Sequence, residues 1–187
     1  MERGFTLIEL TVTISIAFII SALILADFPE FSRRLTLSRT AQAVALSFRQ
    51  AESAALAVRE FEGEIFPAYG LHFEGLPAKS YLLFADIDED YKNPVPGVSF
   101  YDGLGERADI FSINTLPSIY QICGGAASSP PGDCSISWMD VLYVRPNPDI
   151  YIWTDKGAFT DAEVKLRLPT GEERQIIIWT TGQLSVE

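Results

Sequence analysis

At 187 residues, 48% hydrophobic and 21% charged, the chain has room for one membrane segment and one domain with a true core, and no second domain is expected. It carries 14 basic and 25 acidic side chains, a formal net charge of -11. Most of that imbalance falls after residue 59, where 8 basic groups face 20 acidic ones, so the distal part repels polyanions at long range and no nucleic-acid partner is expected.

The first element is an apolar run over residues 5–26, interrupted by a single acid, Glu9. As a helix, at about 1.5 Å per residue, it reaches roughly 33 Å, enough to cross a bilayer. A carboxylate in hydrocarbon costs at least ~2.5–3.5 kcal/mol, so a function is implied for it. No other residue in the run is expected to pair with Glu9, which places its partner outside the segment.

Gly4-Phe5-Thr6-Leu7-Ile8-Glu9 resembles the processing and methylation motif of type IV pilins and type II secretion pseudopilins. The resemblance implies cleavage after Gly4 by a prepilin peptidase, with residues 1–4 as the leader, and N-methylation of the new terminus at Phe5. It gives Glu9 a part in filament assembly. The physical chemistry agrees, because the freed Phe5 amine of one subunit can neutralise Glu9 of the next and so fix one axial stagger. The implied partners are the peptidase, other pilin or pseudopilin subunits, an inner-membrane assembly platform and membrane lipid. The implied location is the bacterial inner (cytoplasmic) membrane, crossed once, with the head on the periplasmic or extracellular side before assembly into a filament. Arg33, Arg34 and Arg39 follow the span and by charge alone predict the opposite orientation; the processing motif overrides them. A cleaved secretory signal fits poorly, since the run exceeds an h-region of ~7–15 residues and Ile24-Leu25-Ala26 is a poor cleavage site.

Asp27-Phe28-Pro29-Glu30 is predicted to kink or locally break the helix. Beyond it, Phe31, Leu35, Ala41, Val44, Ala45, Phe48, Ala51, Ala55 and Leu56 recur at three- and four-residue spacing. Residues 27–59 therefore read as an amphipathic continuation with one buried stripe.

From residue 60 to 187 the pattern becomes a β-rich head, with period-two alternation and frequent turn signals. Strands are predicted at 68–74, 80–86, 97–101, 109–114, 118–123, 135–145, 149–154, 162–168, 174–180 and 184–186. The fold class is α+β: a long N-terminal helix packed on antiparallel sheets, as in pilins. The last hairpin, Arg174-Gln175-Ile176-Ile177-Ile178 followed by Gly182-Gln183-Leu184-Ser185-Val186, resembles H-type minor pseudopilins and related minor pilins. A minor subunit is the role implied.

Cys123 and Cys134 flank a Gly-, Ser- and Pro-rich stretch and are expected to form a structural disulfide, since the head lies on the export side. Asp86, Asp88 and Asp90 alternate in an acidic segment and are candidate ligands for a hard cation such as calcium. Tyr91 stands where an EF-hand needs glycine, so a solvated acidic turn is the simpler reading and no cofactor is expected. His72 is the only histidine, on an alternating strand, and no nucleophile elbow, phosphate loop or paired metal motif accompanies it. The chain is therefore not read as an enzyme. Trp138, Trp153, Trp179, Tyr143 and Tyr151 belong to late strands, as core or as a ligand-binding patch. The alternative function is a membrane-anchored binding module, for calcium or another ligand, that does not polymerise.

Overall fold

A computed structural model describes residues 6–57, 60–65, 67–103, 105–128, 132–146 and 149–187. Helix α1 spans Leu7–Leu56 and passes through Pro29 without the expected break. One proline removes one intrahelical hydrogen bond, and the turns on either side keep theirs. The chain divides into two compact units at Leu35/Thr36.

In the first unit, residues Leu7, Ile8, Phe18, Leu23 and Leu25 are all exposed. Among the described residues, α1 is the one helix long and apolar enough to cross a membrane, and it lies near the N-terminus.

The second unit contains the rest of α1 and the strands. The buried stripe of the helix is Leu37, Ala41, Val44, Ala45, Phe48, Ala51, Ala54 and Ala55. Phe31 and Leu35, expected in that stripe, are exposed and belong to the first unit, so the stripe is confined to the second. Leu56, the last helical residue, is exposed as well.

Two short strands, β1 (Glu60–Phe61) and β2 (Glu64–Ile65), form a hairpin. The larger sheet contains β3 (Ala68–Glu74), β4 (Ser80–Asp86), β5 (Arg107–Ser112), β7 (Trp138–Val144), β8 (Asp149–Thr154) and β9 (Gly157–Phe159), in the order β5-β4-β3-β7-β8-β9. A four-stranded sheet has the order β12-β11-β10-β6, from β6 (Ser118–Gly124), β10 (Asp161–Arg167), β11 (Glu173–Trp179) and β12 (Leu184–Val186). Every pairing is antiparallel.

Alternation along the larger sheet sorts its two faces. Tyr69, Leu71, Phe73, Leu83, Val141 and Ile152 join the helix stripe in the main core, which also takes Ile122, Val164 and Ile176 from the smaller sheet. The opposite face presents Ala68, Phe84 and Leu142 to a second, smaller core completed by Phe100. Phe100 comes from the long segment 87–106 between β4 and β5, described at 87–103, 105 and 106, where the predicted strand at 97–101 is absent. Pro94 and Pro96 remove backbone donors just ahead of it, and the apparent alternation at Val98 and Phe100 reflects one side chain dropping into this second core. Segment 87–106 thus covers the outer face of the sheet.

Candidate functional site

Gly4 and Phe5 lie outside the described residues. Glu9 sits in the first turn of α1, where the backbone N–H and the hydroxyl of Thr6 both donate to its Oε2, at 2.9 and 2.8 Å. The Glu9 N–H in turn approaches Thr6 Oγ1 at 3.3 Å. This is a capping box, in which a threonine at the helix start and a glutamate three residues later satisfy each other's orphan groups. The expectation that no residue of the run pairs with Glu9 is thus corrected. Thr6 meets its hydrogen-bonding needs, a role that the Thr-x-x-Glu spacing signals. Thr6 brings no positive charge, however, and no cation among the described residues pairs with Glu9.

Carboxylates gather under the covering segment. Asp86 ends β4 on the outer face, in the same alternation as Phe84, and is wholly buried at 0% exposure. One carboxylate oxygen from each of Asp86, Asp88 and Glu106 lies within 4.8 Å of the others. Asp86 Oδ1 accepts the Glu89 N–H at 2.8 Å, whereas Oδ2 is buried with no hydrogen-bond partner. Glu106, 4% exposed, spans the segment: Oε1 accepts the Ile87 N–H at 3.0 Å and Oε2 accepts that of Asp102 at 3.2 Å. Burial first, and then the charges of Asp90 and Glu106, push Asp86 up to about 8. Burial likewise pushes Glu106 up to about 7, against the two backbone donors that pull it down. Asp90 rises to about 6, through burial and then the charges of Asp88 and Asp140.

The cluster keeps Asp86 and Asp88 from the predicted set and replaces Asp90 with Glu106. Asp90 begins a short 3-10 turn and donates its N–H to Asp88 Oδ1 at 3.2 Å. The reading of a solvated acidic turn fails at Asp86, because the 87–106 segment folds over the end of β4 and shuts water out. Glu106 was not picked out from sequence, since twenty residues separate it from Asp86 and only the fold brings them together.

His72 and Asp140 are directly opposed across β3 and β7, which places both side chains on the outer face. The Nδ1–H of His72 donates to Asp140 Oδ1 at 2.6 Å. Ser99 Oγ–H and the Phe100 N–H donate to Asp140 Oδ2, at 2.7 and 2.8 Å. Burial pulls the imidazole down, but the hydrogen bond and charge of Asp140, with Glu74 beyond, leave it raised above its ordinary 6.5. Serine, histidine and aspartate are adjacent here without the connectivity of a hydrolase triad, which needs the hydroxyl on Nε2. Ser99 lies on the Asp140 side, and Nε2 is 3.4 Å from Glu74 Oε2. What the group does is hold the covering segment down.

Cys123 and Cys134 are joined by a disulfide. The loop between them is gathered by the buried carboxylate of Asp161, which accepts the N–H groups of Ala127 and Ser128 at 2.9 and 3.1 Å. Among the aromatics, Tyr143 is core and Tyr151 is exposed. Trp153 stacks on Phe100, with centroids 5.7 Å apart, and donates Nε1–H to Val98 O at 2.9 Å, so it too anchors the covering segment. No protein-family model matches the chain, and no curated protein or solved structure matches it either.

Proposed function

We propose that this chain is a non-catalytic structural subunit of a type IV pilus or type II secretion filament, with the minor pseudopilin or minor pilin role the best fit. In this reading it is inserted once in the bacterial inner membrane, cleaved after Gly4 and methylated at Phe5. The observation that carries the reading is the state of Glu9, an acid in the first turn of an exposed apolar helix whose hydrogen bonds are met by Thr6 but whose charge has no described counterpart. The amine of a neighbouring subunit's Phe5 supplies that missing charge. The capping box serves the same end, since it fixes the carboxylate at the mouth of the helix before a neighbour arrives.

Intact-mass analysis of the membrane-purified protein tests this directly. The expected mass is that of a chain beginning at Phe5 with one added methyl group. A mature chain that begins anywhere else overturns the assignment. Correct processing of a chain that never enters a filament would instead leave a membrane-anchored binding module, and normal assembly of a Glu9→Ala variant would remove Glu9 from the assembly contact.

A further inference from the structure

We infer that Asp86, Asp88 and Glu106 hold one hard divalent cation of the calcium type, which fastens the 87–106 segment to the end of β4. Three observations converge on this. First, an ion about 2.3–2.6 Å from each oxygen requires those oxygens to lie within about 5.2 Å of one another. The three carboxylates meet that condition, with one oxygen from each inside 4.8 Å. Second, Asp86 Oδ2 is buried and lacks a donor, although the residue is 0% exposed. A buried carboxylate oxygen without a partner is costly, and a cation is the partner this position suits. Third, no lysine or arginine among the described residues forms an ion pair with any of the three acids. Lys92, whose charge reaches Asp86, is exposed and donates to Glu89.

The hydrogen bonds already present leave room for coordination, because each carboxylate oxygen has two lone pairs. Those on Asp86 Oδ1 and on both Glu106 oxygens come from the loop backbone, so the same carboxylates that would bind the ion also set the loop's path. Asp88 is exposed, which gives the ion a way in and leaves positions for water. Oxygen-only ligands of net negative charge favour calcium or magnesium over softer metals. The competing account is a proton shared between the Asp86 and Asp88 carboxylates, which face each other closely enough for a hydrogen bond.

The two accounts give opposite results when the full-length, chelator-treated protein is titrated in detergent with calcium chloride, with magnesium chloride in parallel. Calorimetry is expected to register one calcium per chain, and calcium is expected to raise the thermal midpoint above that in chelator. Asp88→Asn, an exposed change that leaves the fold intact by circular dichroism, should weaken uptake at least tenfold. Asp109→Asn, at an exposed acid on β5 outside the cluster, should leave it unchanged. The inference is overturned if no calcium is taken up by about 1 mM, the weak end of protein calcium sites. Equal affinity in the Asp88 variant, or equal loss in the Asp109 variant, would overturn it as well.

Discussion

Buried charge on the outer face of the larger sheet is handled residue by residue. His72 works against its own burial through Asp140, which accepts from Nδ1, with Glu74 beyond Nε2, the Tyr101 ring tilted against it at 5.0 Å between centroids and Ser99 alongside. A histidine raised in the folded state stabilises fully below its unfolded value of 6.5 and loses that contribution as the pH climbs through the raised value. Thermal melts should therefore fall above pH 6.5, and His72→Gln should flatten part of that slope. Gly70 makes a second residue-scale case. A Cβ there would stand 2.7 Å from the Phe84 ring and 2.9 Å from the Val141 carbonyl, so Gly70→Ala should cost about 1–3 kcal/mol in chemical denaturation. Neither constraint is visible from residue type alone. A lone histidine reads as sheet filler until the register places Asp140 across from it.

At the level of elements, the strands were the most legible part. Alternation located 68–74, 80–86, 149–154 and 184–186 at their observed bounds, because each has one face on a core and turn formers at its ends. The helix stripe was legible from Ala41 to Ala55 and misread at Phe31, Leu35 and Leu56, since periodicity reports an apolar face without saying where the partner surface stops. Phe48, fully buried and 5.8 Å from the Phe73 ring centroid, marks the centre of that contact; Phe48→Ala should lower stability by about 3–5 kcal/mol in a denaturant titration. Segment 87–106 was illegible for a different reason. Its order comes from contacts to Asp140 and Trp153 on the sheet and from Glu106 reaching back across the segment to Ile87, and its local alternation imitates a strand. The Cys123–Cys134 loop lies between these extremes: the pairing was legible, and the part of Asp161 was not. Breaking the disulfide with Cys123→Ser should cost about 2–3 kcal/mol by loop entropy, read from denaturation under oxidising conditions.

For the molecule as a whole, the candidate assembly site was readable at Glu9 and incompletely understood there. An acid in an apolar run announces a function, but the same residue also closes a capping box with Thr6. Glu9→Gln separates the two roles, since glutamine keeps the box and cancels the charge. Filament incorporation, followed by pull-down of sibling subunits, should be lost in that variant; retention would reduce Glu9 to a cap. The division at Leu35/Thr36 carries a further expectation. A chain cut to residues 36–187 retains the whole buried stripe and should fold cooperatively in water, whereas one beginning at residue 60 loses Phe48 and its neighbours and should not. Circular dichroism melts of the two fragments decide this.

With apolar packing on both sides, the larger sheet acts as a floor between two storeys of unequal strength. The lower storey draws on the helix and both sheets, while the upper one rests on four buried apolar residues and a set of polar ties. The upper storey should open first. Amide hydrogens of residues 87–103 should exchange with deuterium at a lower opening free energy than those of β3 and β7, so that the canopy lifts and resettles while the frame beneath stays closed.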